Sequence, residues 1–405
     1  MTGPARRVHP AVWMILFLPF GATSGFVGVT IGYLAKQQGL GDSTIAGLVA
    51  INMLPHTFKF FWAPLPDMLF TRRAWYVASS IITTATLIAV GYVPVSQDTL
   101  SLLRTLIFVN AFAVTLLGMA TEGLMANVVS EADRGSASGW LQAGNLGGAG
   151  VGGGLALFLA QRLGPHLAVT IVALGLLACS FALMVVREER RLAGSLVGAF
   201  RDVLLDLRDT MVRSRSGLLA MILCFLPIGS AAAAGLFAAI AGRWNTSADA
   251  VALYTGVLGG LVAAAGCLAG GRLSDQMDRK RAYAVSGTYL AVIAVVMALG
   301  PHTQAGYALF TLAYQFGSGL AYGAFTGFVL EAIGRGAVAT KYNALASLSN
   351  IPIWYMTEID GWASEKWNPD IMLFVDAASE IIGVALFLTI AWLLLRGRTR
   401  PEPVV

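Results

Sequence analysis

Long apolar runs alternate with short clusters of charge along this chain, and the runs have the length of a bilayer crossing. Residues 135–161 contain no Asp, Glu, Lys or Arg, and neither do residues 282–330. A bilayer core takes about 20 apolar residues per helix, so the second run holds two crossings. Read this way throughout, the pattern predicts twelve helical spans. They lie at roughly 11–35, 43–62, 74–93, 100–131, 136–162, 165–187, 217–241, 249–271, 282–300, 304–331, 337–362 and 371–395. Gly164-Pro165 and Gly300-Pro301 break two of the connections. Gly41-Asp42-Ser43-Thr44 and Asn245-Thr246-Ser247 offer side-chain oxygens to cap the second and eighth spans. The expected class is an all-α polytopic membrane protein, without the short alternating segments of a membrane barrel.

The spans fall into two similar halves. Ala63-Pro-Leu-Pro-Asp67-Met-Leu-Phe-Thr-Arg72-Arg73 is echoed by Gly271-Arg-Leu-Ser-Asp275-Gln-Met-Asp-Arg279-Lys280-Arg281. In both, cations follow the acid at the fifth and sixth positions. Asp275 follows Asp67 by 208 positions, and Pro227 in Phe-Leu-Pro-Ile-Gly follows Pro19 in Phe-Leu-Pro-Phe-Gly by the same 208. Such agreement indicates a doubled six-span unit. The expected boundaries are 1–190 for one bundle, 191–216 for a linker and 217–405 for the other. The linker's Leu196, Phe200, Val203, Leu204, Leu207 and Met211 recur at helical spacing, which suggests an amphipathic helix on the membrane surface or a solvated linker helix.

Charge adds orientation. Of 405 residues 57% are hydrophobic and 12% charged, too few charges to cover a soluble surface. The net charge of +5 raises the question of nucleic acid, but its distribution answers otherwise. With the Asp275 turn placed inside, 21 Lys and Arg fall on inner segments and 5 on outer ones, leaving Lys59 within a span. That is the positive-inside asymmetry of a multi-pass protein of the inner, cytoplasmic membrane, with both termini cytoplasmic. Nucleic acid is excluded as a partner; the expected partners are the lipid bilayer, a small solute and protons, and the expected state is a monomer. Cys179, Cys224 and Cys267 lie in apolar runs without metal-ligand spacing. The first run is longer than a signal-peptide core and lacks its cleavage site.

Candidate chemistry is sparse. Gly148-Ala-Gly150-Val-Gly152-Gly153 satisfies a dinucleotide fingerprint formally, yet no acid occurs between Asp133 and Glu188. Gly144, Gly148 and Gly152 instead recur every fourth residue, as close helix packing requires. No nucleophile–base pair, phosphate loop or metal cluster is present, so neither an enzyme nor a cofactor is expected. Asp67, Arg72 and Arg73, with Gly271, Asp275, Arg279 and Lys280, read as a conformational latch, the alternative being plain topological anchors. Ionisable residues inside spans are costly in hydrocarbon and so are functional candidates. Glu122 lies twelve residues before Arg134, about 13 Å inside the membrane edge, where a carboxyl suits proton exchange. Glu380 is similarly deep. Lys59 and Lys341, near the inner edge, favour an anionic solute if they face the central gap, and Asn52, Asn145, Asn343 and Asn350 add hydrogen-bonding groups.

Twelve spans with matched turns resemble the major facilitator superfamily, whose signature after the second span is Gly-x-x-x-Asp-Arg-x-Gly-Arg-Arg/Lys. Gly271, Asp275, Arg279 and Lys280 match it; Gln276 and Asp278 depart, and the second half carries the better copy. Leu54-Pro55-x-x-x-Lys59-Phe60-x-Trp62-Ala63-Pro64-Leu65-x-Asp67 resembles a stretch of muropeptide permeases, acetyl-CoA transporters and siderophore importers. The resemblance implies a cavity between two bundles that opens to one membrane face at a time, commonly driven by protons. It points to import of a bulky polar or anionic solute. The rivals are drug or metabolite efflux, and a non-transporting sensor or assembly factor.

Overall fold

The computed structural model describes residues 8–38, 42–188, 201, 204–333 and 338–395. Nine helices among the described residues are long and apolar enough to cross a membrane. The first half contains α1 (Ala11–Ile31), α2 (Asp42–Phe58), α3 (Arg72–Tyr92), α4 (Leu100–Val128), α5 (Glu131–Leu163) and α6 (Pro165–Val185). The second contains α7 (Arg215–Leu223), α8 (Leu253–Gln276), α9 (Arg279–Leu299), α10 (Gln304–Ile333), α11 (Val338–Leu348), α12 (Asn350–Lys366) and α13 (Pro369–Leu395). α11 and α12 run on across Ser349 as one crossing, which makes twelve crossings in two six-helix bundles.

Helix ends follow the local chemistry. The Thr71 hydroxyl accepts from the Ala74 N–H at the start of α3, and Ser214 accepts from Gly217 at the start of α7. Ser247 accepts from the Ala250 N–H ahead of α8. At the start of the second span, Gly41 and the side chains of Asp42 and Ser43 lie outside the described residues. Two spans differ from expectation. α8 continues to Gln276, so Asp275 projects from its last turn and not from a loop.

The seventh crossing does not run straight through. α7 stops at Leu223, and Pro227, which has no N–H to continue the helix, follows. Gly229 (φ 65) and Ala231 (φ 50) then take left-handed conformations, which costs about 1–2 kcal/mol for a residue with a side chain. The chain resumes as a tight turn over Ala232–Leu236 and a single helical turn, Phe237–Ile240. Residues 224–231 thus leave regular helix and, with the tight 3-10 turn that follows, make 224–236 a strap that breaks the crossing inside the second bundle.

Glycines set the closest approaches. A Cβ on Gly144, Gly148 or Gly152 of α5 would lie 2.4, 2.3 or 1.7 Å from the carbonyl oxygens of Met14, Leu18 and Ala22 on α1. The four-residue spacing is thus a helix-packing seam. Gly139 of α5 meets α8 in the same way, with Cys267 O at 2.5 Å, so the glycine helix joins the halves. Residues 191–200 and 202–203 of the linker lie outside the described residues. The rest of it is helical over 204–208 and continues as Asp209–Arg213. Met211 is buried there while Leu204 is exposed.

Candidate functional site

Where the halves meet, α4 carries Glu122, which is 3% exposed. Its Oε2 accepts from the Asn343 side-chain amide of α11 at 2.9 Å, a contact between residues 221 positions apart. Lys59 is 7% exposed, on the tight turn Lys59–Phe61 that follows α2. α2 runs through Pro55 and gives way to this turn at Phe58, and α11 packs against the turn. The Lys59 ammonium lies 5.9 Å from the Phe20 ring centroid, within electrostatic reach of Glu122. It makes no hydrogen bond with a described side chain or backbone group. The His56 ring stands edge-on to Phe20 at 5.0 Å, and its Nε2 is buried and, like Asn52 Oδ1, has no hydrogen-bond partner among the described residues.

A second polar group continues the site along α5, α10 and α11. The Gln142 amide donates to Thr326 Oγ1 at 3.0 Å and to the Tyr342 hydroxyl at 3.5 Å, and the Asn145 amide donates to Gln142 Oε1 at 3.1 Å. Tyr342 lies within electrostatic reach of Glu122. Buried polar groups at membrane depth cost several kcal/mol unless matched. Here both bundles contribute, and several atoms remain open to a polar ligand. A cation, amide donors and aromatic faces suit an anionic or polyhydroxylated solute. Gln142, Thr326 and Tyr342 escaped the sequence reading because neutral polar residues inside spans are common.

Three expected members lie elsewhere. Lys341 is 1% exposed, but its ammonium is 3.1 Å from an Asp206 oxygen and 3.4 Å from Thr210 Oγ1, both on the linker. Linker and eleventh span are thereby joined. Asn350 is exposed at the first turn of α12. Glu380 is buried within the second bundle, where its Oε2 accepts from the Gly229 N–H of the strap at 2.8 Å. A cavity lined by Gly229, Ser230, Tyr283, Tyr322 and Ser349 borders that strap; Lys59, Glu122 and Asn343 do not line it.

The two turns are held differently. Asp275 reaches across the halves: its carboxylate accepts from the Gly135 N–H at 2.7 Å and the Ser136 N–H at 2.5 Å near the start of α5. Arg279 donates to the Glu131 carbonyl at 2.6 Å and pairs with Glu331 at 2.9 Å, while Arg134 donates to the Leu330 carbonyl at 3.1 Å. Deeper on the same side, Ser138 donates to the Gly323 carbonyl at 2.9 Å. Gly271 sits against Gly135 and Gly139, where no side chain would fit. The halves are thus tied together at this end. Lys280 pairs with Asp278, which also accepts from the Lys280 and Arg281 N–H groups. Burial pushes the Asp278 carboxyl up, but these donors outweigh it and hold the carboxyl below its usual value.

In the first half, Glu188 fastens the turn, accepting from the Arg72 N–H at 2.8 Å and the Arg73 N–H at 3.1 Å. Burial raises the Glu188 carboxyl against the opposing pull of Arg73. Arg72 is buried with its side chain against Gly123, whereas Arg73 is exposed. The Asp67 side chain lies outside the described residues.

A family model described as Major Facilitator Superfamily matches residues 13–353. The anhydromuropeptide permease of Escherichia coli strain K12 is 25% identical over 391 residues, spanning 92% of this chain and 76% of that protein. Among solved structures, the human organic anion transporter MFSD10 aligns with a TM-score of 0.71 at 15% identity, covering 95% of this chain and all of that one. The Escherichia coli fucose:proton symporter FucP aligns with a TM-score of 0.66 at 15% identity, covering 94% and 98%. The proton:xylose symporter XylE aligns at 0.65 and 14% identity, covering 94% and 95%.

Proposed function

Because the chain belongs to the Major Facilitator Superfamily, we propose that it is a proton-coupled importer of a bulky, polar or anionic solute. It works by alternating access between two six-helix bundles, 1–190 and 217–405, joined by the linker 191–216. It acts as a monomer in the inner membrane, with both termini cytoplasmic. The observation that carries this reading is the Lys59–Glu122–Asn343 constellation. A lysine without a hydrogen-bonding partner among the described residues stands beside a carboxyl–amide contact that joins the bundles, at the position where a solute would meet both.

The solute's negative charge is met by Lys59, and Glu122 takes up the proton. Protonation replaces a charge-assisted bond to Asn343 with a weaker neutral one, so the link across the halves loosens when the proton binds. The ties of Asp275, Arg279 and Arg134 close the molecule at one end, so the state described is the one open, when open, toward the other. Asp67, Arg72, Arg73, Gly271, Asp275, Arg279 and Lys280 form the latch. The 25%-identical permease supports an anhydromuropeptide as the first solute to try, with a ferric siderophore and an acyl-CoA beside it.

The test is uptake of these three labelled solutes into proteoliposomes with an imposed inward proton gradient. Accumulation of one of them above its external concentration, abolished by a protonophore, is expected. Equilibration indifferent to the gradient would remove the coupling, and absence of flux for all three would remove the solute class.

A further inference from the structure

The proposed transport site leaves a second set of buried acids unexplained. Asp360 of α12 and Asp376 and Glu380 of α13 are each 0% exposed. Asp376 and Glu380 are four residues apart, on one face of α13. Both serve the strap that interrupts the seventh crossing. Glu380 Oε2 accepts from the Gly229 N–H at 2.8 Å, with the Ala231 N–H also directed at it, and the Ala233 N–H is directed at Asp376. These donors lack helical partners because the chain turns left-handed at Gly229 and Ala231. The two carboxyls thus stand in for the carbonyls that a continuous helix would have supplied.

Asp360 provides an independent sign of a ligand. It comes from a different helix, lies within electrostatic reach of Asp376, and neither of its carboxyl oxygens has a hydrogen-bond partner among the described residues. Asp376 Oδ1 and Glu380 Oε1 are unpartnered as well. The titratable groups facing the set are neutral: Tyr283 on α9, Tyr314 on α10, whose hydroxyl donates to Asp376 Oδ2 at 2.8 Å, and Tyr355 on α12. Cys224, at the end of α7, and Tyr322 on α10 stand beside Tyr283. The cation nearest in sequence, Lys366 at the end of α12, stacks on Trp362 and Trp367, while Arg243 and His302 both engage Asp370 at the first turn of α13. Three buried acids close together, with no cation facing them among the described residues, form a place where protons can bind.

We propose that Asp360, Asp376 and Glu380 form a second proton-binding site, separate from the Lys59–Glu122 site, and that proton binding there releases the strap 224–236. Ionised, the α13 pair holds the strap N–H groups through charge-assisted bonds; protonated, it holds them through weaker neutral ones. The adjoining cavity lined by Ser230, Tyr283 and Tyr322 gives the strap room to move. Release is therefore favoured as pH falls.

The experiment places a cysteine at Ser230, which is 6% exposed, in a chain with Cys179, Cys224 and Cys267 replaced by alanine. Its maleimide labelling rate is followed in proteoliposomes without solute. Rates are normalised to Gln304→Cys, an exposed position, to cancel the pH dependence of the thiol itself. The normalised rate is expected to rise about tenfold as pH falls through the carboxyl range. Asp376→Asn with Glu380→Gln should give the high rate at every pH. Asp360→Asn, which sacrifices no hydrogen bond and so spares folding, should shift the pH profile. A flat profile in the parent, or an unshifted profile in Asp360→Asn, overturns the proposal. Since no solute is present, either result leaves the importer reading to its own test.

Discussion

The two halves share a fold and differ in how they bury charge. Among the described residues, the first half buries one acid, Glu122, close to Lys59 and bonded to an amide of the other half. The second half buries three acids, Asp360, Asp376 and Glu380, with no cation facing them and an interrupted span fastened to two of them. The turns differ likewise. Glu188 secures the first-half turn from within its own half, whereas Asp275 crosses to the other. A doubled architecture fixes where helices run, but it leaves each copy free to place charge for a separate task. In one half charge faces the interface; in the other it stabilises a backbone that cannot stabilise itself.

The comparison breaks most visibly at Glu122. Glu122→Gln should abolish accumulation against a gradient while solute exchange across the membrane continues, as counterflow in proteoliposomes would show. If accumulation persists, the single acid of the first half is structural and the contrast between the halves loses its functional side. Next in size is Lys59→Met. Loss of a desolvated charge contact should raise KM for an anionic solute on the order of 30-fold with little change in maximal rate. An unchanged KM would detach the lysine from the solute.

The turns offer a smaller, sharper contrast. Asp275→Ala removes charge-assisted bonds to two backbone donors, together worth about 1.5–3 kcal/mol. It should open that end about tenfold or more, read as faster labelling of Ser138→Cys. Glu188→Gln acts within one half and should leave that labelling near the parent rate. Equal effects would mean that the turns are interchangeable.

The smallest effect is in pH. Asp278 is held below its usual value, so its contribution is present above the unfolded carboxyl range and fades as pH falls through the folded one. Glu188 is raised, so the folded protein binds its proton more tightly than the unfolded chain, and stability declines as pH rises through that range. Thermal unfolding in detergent across pH should lose acid-side sensitivity in Asp278→Asn and show the opposite change of slope in Glu188→Gln. Slopes that shift in the same direction would contradict the opposite fastening of the turns.

The sequence by itself determined the architecture. Runs without charge, the 208-residue offset between matched features and glycines at every fourth position gave the spans, the halves and the α1–α5 seam, because a bilayer penalises charge uniformly and a helix repeats regularly. It also singled out Glu122, Lys59 and Glu380, since an ionisable residue inside a span stands out without any knowledge of its neighbours. Tertiary structure alone decided the partners. Asn343 reached Glu122, while Lys341 turned to Asp206 on the linker and Asn350 to the surface. Asp376, one turn before Glu380, was open to detection from its spacing, but Asp360 was not, because its meaning depends on α12 packing against α13. Burial and depth can be read along a chain; which side chains meet is settled only when helices distant in sequence pack together.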